Sequence, residues 1–282
     1  MTADETSATK GVILCADDFA VHAPASLGIA QLAALGRISA TSAMVLSPRW
    51  RQDVALLHDL RERIDVGLHL DWTSDFAMGA GHGLSLKAAM LKAAIGGFDS
   101  TAERSVTRGV IERQLDAFEA QWQAPPDYVD GHQHVQQFAG IREALVQALA
   151  SRYGGSRGRQ PYLRISRAPS GHADLKSRVI AAMGASALET IADHAGMTRA
   201  SALLGIYDFA GDQARYGRRM DGWLNAAPAG SIIMCHPALS PEPGDVIGVA
   251  RAQEFAYFSS ADFPTALAQA RVQLVRGRIS AS

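Results

Sequence analysis

The chain has 282 residues, 48% of them hydrophobic and 20% charged, with a formal net charge of −1 at pH 7. This is ordinary globular composition and lacks the basic excess that a nucleic-acid or anionic-membrane surface requires. No stretch approaches the roughly 18 consecutive apolar residues of a membrane span, and the first ten residues carry no apolar leader core. The only cysteines, Cys15 and Cys235, both lie in apolar runs. They are expected to be buried structural thiols in a reducing cytoplasm.

Val12 to Ala16 reads as a short buried strand that stops at two carboxylates, Asp17 and Asp18. Either acid alone fits a helix cap or turn, but two together after a buried strand suit a metal or acid–base site. A helix pattern follows over Ser26–Leu35, closed by Gly36, then a strand over Thr41–Leu46 and a helix over Trp50–Arg61. The third strand, Ile64–Leu70, carries His69 near its end.

Regularity then lapses over Asp71–Ser100, where five glycines (79, 81, 83, 96 and 97) surround one helical stretch, Leu86–Ile95. So long an interruption suits a lid. A helix over Ala102–Trp122 precedes a short strand, Tyr128–Asp130, which runs into Gly131-His132-Gln133-His134. Next come a helix over Ile141–Arg152, a basic Gly-rich loop over Gly154–Arg159, and a fifth strand, Tyr162–Ile165, carrying Arg164. One long helix is expected over Ala173–Ala195, a sixth strand over Ala202–Tyr207, and a helix over Gln213–Asn225. The seventh strand, Ser231–Cys235, ends at His236-Pro237; helices over Val249–Tyr257 and Phe263–Gln269 and a strand over Val272–Val275 complete the chain.

Eight strand candidates thus alternate with helices, without a linker or a repeat of fixed period. The expected fold is α/β: a single (β/α) barrel or distorted TIM-like barrel over residues 1–282, with a lid insertion (71–100) after strand three. In such barrels the working residues sit at the C-terminal strand ends. Asp17/Asp18, His69, His132/His134 and His236 all occupy such ends. One carboxylate and two imidazoles can hold a divalent ion with a position open for water. A spare Asp and a spare His could then act as base and acid.

The stretches Ala16-Asp17-Asp18-Phe19, Ser39-Ala40-Thr41-Ser42-Ala43-Met44-Val45, Gly67-Leu68-His69-Leu70, Asp130-Gly131-His132-Gln133-His134-Val135 and Met234-Cys235-His236-Pro237 resemble the YdjC-like carbohydrate deacetylases, which include chitooligosaccharide deacetylases and hopanoid-biosynthesis-associated relatives. They follow the family's order from strand one to strand seven. The resemblance implies a barrel-like deacetylase with one divalent metal, held by Asp18, His69 and His132. It further implies Asp17 as base, His236 as acid and Arg164 as the residue that orients Asp17. His134 would support a ligand or face the substrate; a bond to a backbone carbonyl is the plain alternative. The chain departs from the family at Ala20, where Gly is usual, at Gln136, where many members carry a further His, and in the Asp71-Trp72-Thr73 loop.

The expected function is removal of an N-acetyl group from an acetamido sugar, oligosaccharide or glycolipid by metal-activated water. The imidazole-rich set favours Zn²⁺ over Mg²⁺. Trp72 and Phe76 could stack on sugar faces or merely pack the lid. The alternatives are a non-catalytic sugar-binding barrel and a metal hydrolase of another amide or ester. The expected partner is a glycan substrate, with no nucleic acid and no membrane span; a homodimer is compatible with the sequence.

Overall fold

The first apolar run builds β1 (Lys10–Phe19), the central strand of a parallel sheet in the computed structural model, which describes residues 9–154 and 160–277. To one side of β1 lie β2 (Ala40–Ala43), β3 (Asp65–Leu70), β4 (Tyr128–Gly131) and β5 (Tyr162–Leu163); to the other lie β7 (Ile232–Cys235) and β6 (Leu203–Leu204). The outer strands of this path, β5 and β6, approach through isolated contacts. Leu163 bridges Arg199, and the Leu203 N–H donates to the Arg167 carbonyl at 2.7 Å. The wall is therefore a distorted barrel of seven staves. β8 (Val272–Leu274) is not an eighth stave, because it pairs with Lys10–Val12 at the start of β1.

Side chains alternate along a strand, so each stave contributes one row to the interior and one to the helices outside. Ile13, Cys15, Ala40, Tyr128, Tyr162, Leu203, Ile232 and Met234 pack together as the barrel interior. Val12, Leu14, Ala16, Val66, Leu68, Val129 and Ile233 belong to the larger cluster beneath the helices. Two residues beyond the inward positions stand Asp17, Asp130, Arg164 and His236, as the next layer of the same rows. A charged layer therefore rests on an apolar plug whose rings, Tyr128 and Tyr162, stack at 5.1 Å.

Around the barrel run α1 (Ala23–Ala34), α2 (Trp50–Asp53), α3 (Asp75–Gly79), α4 (Leu86–Ala94), α5 (Thr101–Trp122), α6 (Ile141–Tyr153), α7 (Leu175–Ala182), α8 (Ala185–His194), α9 (Gln213–Ala226), α10 (Gly248–Ser259) and α11 (Asp262–Gln269). Several elements differ from expectation. The 50–61 helix is one α-turn that continues as a 3₁₀ stretch, Val54–Leu60. The 71–100 insertion holds two helices, α3 and α4, capped by Ser74 and Ser85. The single helix expected over 173–195 breaks between α7 and α8 at Gly184. Its φ is +132°, and a Cβ there would lie 2.1 Å from the Gln137 carbonyl oxygen. Residues 155–159, most of the basic loop, lie outside the described residues, as do residues 1–8 of the polar N-terminal segment. Among the described residues no helix is long and apolar enough to cross a membrane.

Candidate metal and acid–base site

Adjacent strand residues ordinarily point to opposite faces, so Asp17 and Asp18 should diverge. They do not, because the β1–β2 register runs from Ala16↔Thr41 to Phe19↔Ala43. Two residues of β1, Asp17 and Asp18, thus stand against one of β2, Ser42. This is a β-bulge, a device that re-aims side chains. Asp18 takes the left-handed turn, with φ 65°. The strand has not ended at the acids; it is kinked so that both face the mouth. Ala20, where the family resembled usually has Gly, holds a left-handed φ of 73°.

Asp18, His69 and His132 offer ligand atoms that all lie within 4.8 Å of one another. Asp18 Oδ1 is 3.3 Å from His69 Nε2 and 3.2 Å from His132 Nδ1. Donors at roughly 2.0–2.1 Å from a tetrahedral ion are separated by about 3.3 Å, so both edges fit Zn²⁺ geometry. Asp130 Oδ1 lies 2.6 Å from His69 Nδ1 and accepts the hydrogen bond from its N–H. That leaves Nε2 as the ring atom facing the site, the arrangement typical of metal-bound histidine. Burial disfavours the imidazolium of His69, yet Asp130 and then Asp18 outweigh it and push its pKa up to about 10. A bound cation would compete with that proton.

His132 comes from a 3₁₀ stretch after β4, not from the strand itself. Gln133 and His134 inside that stretch are left-handed, with φ 52° and 63°. Gly131 permits the fold-back: a Cβ there would lie 2.7 Å from Gln136 Oε1. His134 is not one of the three clustered residues. Its Nδ1 pairs with Ser166 Oγ at 2.9 Å rather than with a backbone carbonyl, and burial, with Arg164 nearby, pushes its pKa down to about 3. Gln136 donates to the Arg164 carbonyl and to Ser166 Oγ, so it braces the end of β5.

Asp17 is bound by a fork. Arg164 Nη1 and Nη2 donate to its two oxygens at 2.7 and 2.9 Å, and Ser42 Oγ donates to Oδ1 at 3.2 Å. Burial opposes ionisation, but Arg164 overrides it and holds the carboxyl well below the usual range. The Arg164 guanidinium also lies 2.9 Å from Asp130 Oδ2. One buried cation therefore links the Asp17 carboxylate to the Asp130–His69 pair.

His236 Nε2 is 4.0 Å from Asp17 Oδ2, and its ring meets Phe209 edge-on at 5.3 Å. Burial pushes its pKa down to about 4, although Asp18 and Asp17 pull the other way. Its peptide is clamped by α10: the His236 N–H donates to Glu254, and Arg251 Nη1 approaches its carbonyl at 3.4 Å.

Three site residues escaped the sequence reading. Asp130 stands inside the Asp130–Val135 motif, where its position at the end of a strand gives no sign of a role in the site. Arg251 and Glu254 come from a helix, and nothing in their spacing separates them from an ordinary amphipathic face. One reading needs correction. Trp72, expected at the substrate, is 2% exposed, belongs to the core and packs edge-on against His82 at 5.6 Å, so it presents no open face for a sugar.

The family model for YdjC-like protein matches residues 11–269. Among solved structures, an Enterococcus faecalis V583 protein provisionally named for cellobiose-phosphate cleavage is 18% identical, with 96% of this chain and 98% of that one covered and a TM-score of 0.68. At that identity the likeness is one of fold. A peptidoglycan N-acetylglucosamine deacetylase is 10% identical over 94% of this chain and 85% of its own, TM-score 0.46. A family 4 carbohydrate esterase from Streptomyces lividans is 12% identical over 95% and 93%, TM-score 0.41. A comparison with curated proteins found no match.

Proposed function

The chain belongs to the YdjC-like family, and from that premise we propose that it is a metal-dependent hydrolase that removes an N-acetyl group from an acetamido sugar, oligosaccharide or glycolipid. One observation carries the reading: Asp18, His69 and His132 converge at the mouth while a second carboxylate, Asp17, is held beside them and is not one of the three. A purely structural metal site has no use for that extra acid. The donors fit one divalent cation, and two imidazoles with one carboxylate favour Zn²⁺ over Mg²⁺. When bound, the cation supplies a water of lowered pKa and polarises the acetamido carbonyl.

The remaining work falls to the chain's own side chains. Asp17 accepts the water's proton at Oδ2, the oxygen nearer His236. Its pairing with Arg164 aims the carboxylate but weakens it as a base, so positioning and not basicity is what Asp17 contributes. A neutral His236 cannot donate. A proton taken up at Asp17 Oδ2 has 4.0 Å to travel to His236 Nε2, and His236 then delivers it to the leaving amine. Because the insertion bearing α3 and α4 begins directly after His69-Leu70, we assign it the role of bounding the substrate.

Acetate release from N-acetylglucosamine oligomers, measured with metal content, tests this reading. His132→Ala should lose the metal and all activity. Asp17→Asn should keep the metal and lose roughly 10²–10⁴-fold in kcat, the usual contribution of a positioned acid or base. If Asp17→Asn loses the metal instead, the two carboxylates are assigned in the wrong order. Sugar binding without any acetate release would favour the non-catalytic barrel.

A further inference from the structure

Asp18 has two oxygens, and the structure treats them differently. Oδ1 faces both imidazoles, at 3.3 and 3.2 Å. Oδ2 is taken by Arg251 Nη2 at 2.7 Å, in a pair that is almost wholly buried. The guanidinium is fixed from its other side, where Nε donates to Asp245 Oδ2 at 2.7 Å, and Asp245 Oδ2 lies 3.2 Å from His22 Nε2. Arg251 itself sits on α10, so a helix outside the barrel reaches through to one oxygen of one inward acid.

A carboxylate with both oxygens free can chelate a cation and so consume a second coordination position. A charge-assisted hydrogen bond to one oxygen, held in a rigid planar fork, opposes this. We propose that Arg251 is a positioning residue that restricts Asp18 to metal ligation through Oδ1 alone, keeping a coordination position open for water and for the acetamido oxygen. The inference rests on the metal set proposed above. Among the three proposed ligands Arg251 bonds Asp18; its other approach near the mouth, 3.4 Å from the His236 carbonyl, meets no metal-binding atom. It does to the carboxylate what Asp130 does to His69: each fixes which atom of the ligand faces the cation.

Cobalt(II) tests this, because its visible absorption weakens as coordination number rises. The wild-type protein loaded with Co²⁺ should show a strong band. In Arg251→Gln the band should weaken while one equivalent of Co²⁺ stays bound, and kcat should fall about 10- to 100-fold with KM little changed, the usual cost of losing a partner that orients a ligand. Arg251→Lys, which keeps a cation for Oδ2, should recover most of the band. Asp245→Asn, which cuts the far end of the bridge only, should leave the band intact. A purely structural tie between α10 and the barrel would move the melting temperature in these variants but not the spectrum.

An unchanged Arg251→Gln spectrum overturns the inference and leaves the proposed function standing. If Arg251→Gln does not fold, a crystal structure of the Zn²⁺-loaded wild type decides: Asp18 bound through Oδ1 alone supports the inference, and Asp18 chelating through both oxygens overturns it. If the wild type binds no Co²⁺, or binds it equally well as His132→Ala, both readings fall.

Discussion

The two sides of the barrel mouth are built differently. On the β1–β5 side, charges from strand ends pair directly: Asp17 with Arg164, Arg164 with Asp130, Asp130 with His69. All four side chains are nearly inaccessible, and each is held by at least one partner from another stave. On the β7 side the inward residue is His236. Its peptide is clamped by α10, but among the described residues its Nδ1 has no hydrogen-bond partner. Under the proposed function the difference separates two tasks. Metal ligands and their supports gain from rigidity. A group that must take up and release a proton gains from a ring free of obligatory partners.

The largest effect that would break this comparison lies at Arg164. Replacing it with Met leaves Asp17 and Asp130 buried without their shared cation, and removal of one member of a buried ionic pair costs about 3–5 kcal/mol. Urea denaturation of Arg164→Met should show a loss of that order. A loss below about 1 kcal/mol would mean that this side is not held together by its charges.

The second test probes the β7 side through Glu254, which is fully buried and accepts the His236 N–H and, at 2.6 Å, the Tyr207 hydroxyl. Burial pushes its pKa up from 4.5 to about 7, only partly offset by Tyr207, the His236 peptide and Arg251. The folded protein therefore retains a proton that the unfolded chain releases from about pH 4.5 upward. This contribution to stability is intact below pH 4.5, declines as the pH rises to 7, and is constant thereafter. At about 1.4 kcal/mol per pKa unit the decline is at most ~3.5 kcal/mol. Glu254→Gln resembles the protonated carboxyl and should lack it. Denaturation midpoints at pH 5 and pH 7.5 should diverge between wild type and variant; parallel behaviour would place the titration elsewhere.

The same division explains what the sequence revealed. Cys15-Ala16-Asp17, Tyr128-Val129-Asp130 and Ile232-Ile233-Met234-Cys235-His236 each carry an apolar strand into a polar end, so periodicity of two places the polar residue at the mouth. Arg251 and Glu254 reach the mouth from a helix, and no one-dimensional pattern distinguishes them from residues that simply pack. The bulge was equally hidden, because pairing register is a property of two strands and the Asp-Asp dipeptide belongs to one. Trp72 misled for a related reason. An aromatic next to a ligand strand suits a platform, but Leu84 folds back so that its N–H donates to the Trp72 carbonyl at 2.8 Å, and the indole is enclosed. At Gly184 a helical composition continues through the break, which is imposed by the Gln137 carbonyl from a distant turn.

The smallest expected effect sharpens the comparison on the rigid side. Ala20 follows the Asp17–Asp18 bulge with φ 73°, where a Cβ is strained. Its turn is nevertheless held at both polar atoms: the Ala20 N–H donates to Ser26 Oγ at 3.1 Å, and its carbonyl accepts from Ser47 Oγ at 2.6 Å. Ala20→Gly relieves about 1 kcal/mol or more of left-handed strain. Against this, it forfeits about 0.8 kcal/mol of buried methyl and adds roughly 0.4–1 kcal/mol of unfolded-state entropy. The terms nearly cancel, so the net change should stay within about 1 kcal/mol of zero. Metal content should not change, because the hydroxyls bind backbone that glycine retains. A shift of more than about 2 kcal/mol, or a loss of metal, would show that the methyl itself holds the two carboxylates in place, and that side chains alone do not lock this half of the mouth.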